Sequence, residues 1–344
     1  MQSNARLIEE KNGLKYPSPG DAKSGWQKEW YHICIQAPGL DLLVNLNVSS
    51  DTRPSAPAGS RVARVVLMAH DGEWSGDIEP VDSRLVRVTP GEVAMCLGQN
   101  EIAFRDGKFE LVAALQVYPL AVNVRLEPQC TPLGITHEVS VGHGAIGWFA
   151  IPRLSVTGHV VKGDRVYPLV DATAYHDHNW GHWLWGQDFS WEWGFGHLAD
   201  GEESWTIMFD RTLNRARTRL LESTFALWRG EMLVKMFSRN EISVRPIGYQ
   251  NPKKLFRIPR ALAIAVPELG RDVPSQFEVT ARSGPDHVSL VLTPRSEAQI
   301  LIPNETDLET TIITEVLGTV QIAGEIRGRL FTAAGRGVFE FLAT

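Results

Sequence analysis

Between Tyr175 and Trp185 the chain gathers three histidines, an aspartate, an asparagine and three tryptophans: Tyr175-His176-Asp177-His178-Asn179-Trp180-Gly181-His182-Trp183-Leu184-Trp185. Polar groups of this kind are costly to bury unless they are bonded or used. Indole rings beside them exclude water and lower the local dielectric, which shifts pKa values and strengthens charge effects. If this chain does chemistry, the chemistry is expected here. In extended backbone, Tyr175, Asp177 and Asn179 share one face, and His176, His178 and Trp180 share the other. On the first face a carboxyl sits next to a phenol and an amide, walled by indoles. Desolvation would raise its pKa and keep it protonated near neutral pH, as a general acid requires. The plainer alternative is that Asp177 accepts backbone hydrogen bonds and anchors a barrel corner. The second face suggests metal, because His176-x-His178 sets two imidazoles side by side, with His182 close behind. No carboxylate completes a facial triad there, and the same histidines could hydrogen-bond locally and shape a polar pocket floor.

The remaining tryptophans form a second signal. Trp191-Glu192-Trp193 and Trp205 follow the cluster, Trp26, Trp30, Trp74 and Trp148 precede it, and Trp228 comes later. Trp26, Trp74 and Trp228 read as core. Trp191 and Trp193 share one strand face with Phe189 and Phe195, a stripe suited to a pocket wall or a domain interface. Such a wall holds a large apolar ligand and can stabilise a carbocation. Other patterns are weaker. Gly142-His143-Gly144-Ala145-Ile146-Gly147 matches GxGxxG, but the chain continues into Trp148-Phe149-Ala150-Ile151-Pro152 rather than a helix, so it reads as a loop or bulge. Arg215, Arg217 and Arg219 alternate as one strand face would, and read as solvated. Lys253, Lys254, Arg257 and Arg260 mix with Leu255, Phe256 and Ile258, a stretch that could touch a membrane; Pro252 and Pro259 exclude a long helix there.

The elements that must position these residues have a period of two. Leu42, Val44, Leu46 and Val48 alternate with polar or opposite-face residues. Phe109, Leu111, Ala113, Leu115 and Val117 do the same, and so do Leu120, Val122, Val124 and Leu126. Asp71-Gly72, Pro90-Gly91, Asp106-Gly107, Gly163-Asp164, Asp200-Gly201 and Gly230-Glu231 punctuate the runs as turns. No long helical pattern is present. The expected fold is all-β, an antiparallel meander closed into two barrels in tandem, since closure removes sheet edges. Residues 1–25 read as an N-terminal arm, 26–186 as the first barrel and 187–344 as the second, with Gly335 to Leu342 as a closing strand. The sequence shows no internal repeat.

Composition narrows the classes. At 43% hydrophobic and 22% charged residues, the 344-residue chain should fold into packed domains. A net charge of −6 excludes a nucleic-acid binder with a basic stripe. Cys34, Cys96 and Cys130 lie far apart, which reads as free thiols in a reducing compartment. The N-terminus lacks the apolar core of a signal peptide, and Leu111 to Leu126 is too interrupted to cross a membrane. A cytoplasmic location is expected, with membrane association left open by the basic segment.

The segment Tyr175 to Gly181 closely resembles the signature of the carotenoid hydratase (hydroxyneurosporene synthase) superfamily. That superfamily includes attachment-type lipocalin-like proteins, fungal kievitone hydratases and decalin-forming Diels–Alderases, and more distantly the tocopherol cyclases. The resemblance extends to Trp30-Tyr31, to Trp148 ahead of Pro152, to Gly158 through Tyr167 and to the closing strand ending at Glu340. It implies two lipocalin-like barrels with a pocket at or near their interface, and chemistry at carbon–carbon double bonds of large apolar molecules: hydration, cyclisation, isomerisation or cycloaddition. It implies Asp177 as proton donor with Tyr175 beside it, and no metal or cofactor. His176, His178, Asn179, Trp180, His182, Trp183, Trp148, Trp191, Trp193 and Trp30 are the candidate substrate contacts. The chain departs from the hydratase pattern at Ile146, where relatives carry a histidine, and at His32 after Trp30-Tyr31; both point to a hydrophobe other than a carotenoid. Two other expectations stand beside this one: a lipocalin-like carrier of a lipophilic metabolite, in which the cluster is structural, and a metalloenzyme using His176 and His178.

Overall fold

The alternating runs become antiparallel strands in the computed structural model, which describes residues 2–16, 26–52, 56, 60–134, 138–249, 255–267, 270 and 272–343. Residues 17–25 of the expected arm, and Lys253 and Lys254, lie outside the described residues. The chain divides into two compact units, Met1–Leu184 and Trp185–Thr344. Both are built around one predominantly antiparallel sheet in the lipocalin-like manner. No helix among the described residues is long and apolar enough to cross a membrane.

In the first unit, β1 (Gln27–Ala37), β2 (Leu40–Ser50), β3 (Arg61–His70) and β4 (Trp74–Val81) run up and down in order. A 3-10 turn at Ser83–Leu85 leads into β5 (Val86–Val88), β6 (Ala94–Leu97), β7 (Asn100–Arg105), β8 (Lys108–Ala114) and β9 (Leu120–Pro128). Short strands β10 (Leu133–Gly134) and β11 (Val139–Val141) pair with the long β12 (Gly144–Lys162), as does β13 (Arg165–Pro168). The last strand, β14 (Ala172–His182), inserts between β1 and β12. The sheet order β4-β3-β2-β1-β14-β12-β9-β8-β7-β6-β5 therefore begins and ends at strands that are consecutive in the chain. One face of each strand points inward: Leu42, Val44, Leu46 and Val48, Phe109, Leu111 and Ala113, and Leu120, Val122, Val124 and Leu126 all join one buried core.

The second unit follows the same course. β15 (Phe189–Asp200), β16 (Glu203–Asn214), β17 (Leu220–Arg229) and β18 (Met232–Ser238) run up and down, and a 3-10 turn at Arg239–Glu241 leads to β19 (Ile242–Ile247). After β20 (Phe256–Ile258), β21 (Gln276–Ser283), β22 (Asp286–Pro303) and β23 (Thr310–Ile326), the closing β24 (Arg329–Ala343) inserts beside β15. The order is β18-β17-β16-β15-β24-β23-β22-β21-β19, with β20 parallel to β22. The repeat is one of topology, which the sequence did not display. Phe209, Phe225, Phe237, Phe277 and Phe339 fill this unit's interior, and Trp205 stacks on Phe331 at 4.4 Å.

Three local expectations need correction. The arm contains a helix, α1 (Gln2–Lys11), whose Ile8 is completely buried in the first unit's core. A ten-residue helix with so few apolar residues is marginal alone; packing holds it. Trp26, expected in the core, is 38% exposed. Arg215, Arg217 and Arg219 lie in the turn between β16 and β17 rather than on a strand, and Arg217 adopts a positive φ of 57° and pairs with buried Glu192. The described part of the basic segment agrees with the exclusion of a long helix: after Pro259 it carries only the six-residue α2 (Arg260–Ala265), preceded by a buried Ile258.

The N-terminal residues are bonded into the first barrel beside the histidines. Leu14 donates its N–H to the Glu92 carbonyl and accepts from Gly91, and Gly13 sits so close to Gly91 that an added Cβ would lie 2.3 Å from its oxygen. The backbone N–H groups of Lys15 and Tyr16 donate to the two carboxylate oxygens of Glu29 at 2.6 and 2.5 Å. His178 donates from Nε2 to Glu29 at 2.6 Å. Tyr31 donates to the Asn12 carbonyl at 2.7 Å. His176 meets the His32 carbonyl through Nδ1 at 3.1 Å; a carbonyl only accepts, so Nδ1 carries the proton and Nε2 accepts from the Asn12 amide at 3.0 Å.

Removing Glu29 would leave two backbone donors and His178 unsatisfied in the interior. Glu29→Ala is therefore expected to cost about 3–5 kcal/mol in urea unfolding; a loss below 1 kcal/mol, on the order of an exposed pair, would contradict the network. The histidines also set an acid limit. Burial lowers His32 to about 4 and His176 to about 3, and it lowers His178 as well. In the unfolded chain each titrates near 6.5. Below that pH the unfolded state binds protons that the folded state refuses, so stability is complete above about 6.5 and falls as pH drops toward 4. The slope is about 1.4 kcal/mol per pH unit for each histidine. Urea midpoints at several pH values check this, and His176→Gln should flatten the dependence.

Candidate active site

Register decides which residues meet. β14 pairs with β1 so that Asn179, Asp177 and Tyr175 face Trp30, His32 and Cys34. On its other side β12 sets Trp148 opposite Asn179 and Ala150 opposite Asp177. The pairing with β12 then breaks between Ile151 and Leu154, at the level of Tyr175. Such a bulge bends a strand and re-aims its side chains. β2 extends the same face, with Asn47 opposite Trp30 and Asn45 opposite His32.

This is the outward face of the first barrel. Tyr31, Ile33, Phe149 and Ile151, which alternate with these residues, point into the core. Outward faces of barrels are ordinarily wetted and polar, yet here Asp177 is 7% exposed and Tyr175, His32, Cys34 and Trp148 are buried too. Asn179 donates from its amide to Asp177 Oδ1 at 2.6 Å. His32, neutral because burial lowers its pKa to about 4, has its Nε2 3.0 Å from Cys34 Sγ. Asn47 donates to Asn45 at 3.0 Å. Trp183 packs edge-on against Trp30 at 5.4 Å, and its carbonyl accepts from Lys28 at 2.5 Å. The buried Trp148 indole nitrogen has no hydrogen-bond partner among the described residues. The arrangement is a carboxyl oriented by one amide, an imidazole directly across from it, a phenol two residues away and an indole donor nearby. It can deliver and recover a proton while holding an oxygen atom.

His176, His178 and Trp180 occupy the opposite, inward face. His176 and His178 pack on Tyr31 and Phe109 and are completely buried. Three of their four ring nitrogens are engaged by Asn12, Glu29 and the His32 carbonyl, and only His178 Nδ1 has no partner among the described residues. Among those residues no three histidine, cysteine, aspartate or glutamate side chains stand together as metal ligands would. Trp180 lies at the barrel end and donates to Glu138 at 2.9 Å. Gly181 belongs to the motif for a steric reason: its φ is 143°, and a Cβ would stand 2.1 Å from the Ala145 oxygen. His182 is partly buried between Gln27 and Ala145. Trp191 and Trp193 belong to the second unit, where with Phe189 and Phe195 they form an unbroken outward stripe on β15. His32, Cys34, Asn45 and Asn47 are additions to the site. Alternation groups His32 with Trp30 and Cys34, but only pairing with β14 brings them to Asp177.

No protein-family model matches the chain, and no curated protein matches it in sequence. Its fold, by contrast, is shared along nearly the full length of several solved structures. An AttH-type protein of Nitrosomonas europaea has a TM-score of 0.64 at 16% identity, covering 96% of both chains. CghA, solved with Sch210972, has a TM-score of 0.61 at 15% identity, covering 96% of this chain and 94% of that one. Kievitone hydratase of Nectria haematococca has a TM-score of 0.58 at 10% identity, covering 97% and 95%. These are the groups whose signature the segment Tyr175 to Gly181 resembles, and the chain has their fold.

Proposed function

We propose that this protein is an enzyme that transforms a large hydrophobic small molecule by proton transfer from Asp177 to a carbon–carbon double bond or a departing hydroxyl. The observation that carries the reading is the burial of Asp177 on an outward sheet face, between His32 and Ala150 and clamped by Asn179. A structural aspartate would not need an imidazole across from it or an unpartnered indole donor in the same sheet. Protonation of an alkene carbon by Asp177 leaves a cation on the adjacent carbon, and the flanking Trp30 and Trp183 rings stabilise that charge. Water adding to the cation gives hydration, attack by an internal double bond gives cyclisation, and loss of a neighbouring proton gives isomerisation. In each route the Asp177 carboxylate recovers a proton, directly or through the neutral His32 and Tyr175. Trp148 holds the oxygen that enters or leaves. Two proteins sharing this fold are, respectively, a kievitone hydratase and a protein holding the small molecule Sch210972, which fits chemistry on apolar compounds.

The test is to incubate the protein with a lipophilic extract of its source cells in ¹⁸O-labelled water and to compare Asp177→Asn by mass spectrometry. A product made by wild type should fall about 10²–10⁴-fold in the variant, with the melting temperature little changed. Incorporated ¹⁸O would identify hydration, and unchanged mass would identify isomerisation or cyclisation. Full turnover by Asp177→Asn would remove Asp177 from the chemistry, and recovery of the same unaltered compound from both proteins would make the chain a carrier.

A further inference from the structure

The second unit repeats the register of the candidate site with different chemistry. Trp30 lies between Asn179 and Asn47, and Trp193 lies in the same topological place between Glu340 and Asp210. One strand further on, Glu315 is opposite Glu340 as Trp148 is opposite Asn179. Two amides and an indole in the first unit are thus three carboxyls in the second. They lie on the outward face, because Phe209, Val316, Phe339 and Phe341 take the inward positions that alternate with them.

These carboxyls are not arranged as surface acids. Glu340 accepts a hydrogen bond from the Trp191 indole and stands opposite Glu315 across the sheet. Burial raises the Glu340 carboxyl above the usual carboxylate range. Asp210 is 9% exposed, and the Thr212 hydroxyl donates to it. Its Oδ2 is buried with no hydrogen-bond partner among the described residues. Burial, reinforced by Glu222, raises Asp210 to about 7. A buried carboxyl oxygen left unbonded costs stability, and an apolar residue would pack there without that cost.

We propose that this face, built on Asp210, Glu340, Trp191 and Trp193, is a ligand-binding surface of the second unit that holds a hydroxyl or carbonyl oxygen of a lipophilic molecule at Asp210. Asp210 Oδ2, which no described group engages, bonds that oxygen, and the indoles of Trp191 and Trp193 cover the apolar body. The proposal rests on the reading that the protein handles a lipophilic molecule, and not on the chemistry assigned to Asp177.

The test uses two probes that differ by one hydroxyl, farnesol and the hydrocarbon farnesene, titrated against the full chain by tryptophan fluorescence. Wild type should bind farnesol about tenfold more tightly than farnesene, the worth of one hydrogen bond. Asp210→Leu should abolish that preference while keeping or raising the melting temperature, and Trp193→Ala should weaken both probes alike. A preference that survives Asp210→Leu overturns the proposal, as does a fall in melting temperature, which would make Asp210 structural, or a wild type that binds neither probe. Loss of preference in Asp210→Leu alongside a fully active Asp177→Asn would keep this surface and sink the proposed reaction; the converse would sink this surface alone.

Discussion

The pairing of β1 with β14 is the constraint on which the candidate site depends. It joins the beginning of the first unit to its end, and its register determines which groups can meet. A slip of one residue would turn Asp177 inward and His176 outward, exchanging every group on the two faces. Several features hold the register in place. Glu29 on β1 bonds His178 on β14, His176 bonds the His32 carbonyl across the same pair of strands, and β12 closes against Gly181 where only a glycine fits.

The two faces of β14 therefore have opposite relations to charge. Inside, the histidines are kept neutral and their hydrogen bonds are used to fasten the N-terminal residues to the barrel, so that groups that look reactive are consumed by structure. Outside, Asp177 has a tether to one oxygen and an imidazole facing it across the sheet. The proposed site lies on the outside of the barrel wall. That departs from the usual use of a small barrel, which is to hold its ligand in the cavity.

Much of this is legible in the residues alone, because period two is a local property. Alternation assigns Tyr175, Asp177 and Asn179 to one face and His176, His178 and Trp180 to the other, and it lines up Phe189, Trp191, Trp193 and Phe195. What alternation cannot give is which face is inside, or which strand lies alongside. His32 is absent from any sequence pattern around Asp177 because the two are joined only by long-range pairing. The helix at Gln2–Lys11 is equally hidden, since it is short and mostly polar and burial of Ile8 in the barrel holds it. The shared topology of the two units is invisible for the same reason: strand order survives when nearly every side chain differs.

Because Gln27 and His182 are partners across the sheet, the first unit's run of strands begins and ends at one place. A module with neighbouring ends can be joined tail to head with a second one through a few residues and without distorting either. The segment from Trp183 to Asp188 is all that separates β14 from β15. The same property would let the strands be circularly permuted by linking Gln27 to His182 and opening new ends in an exposed turn such as Asp106-Gly107, with every strand pair retained but the bonds of Lys15 and Tyr16 to Glu29 given up.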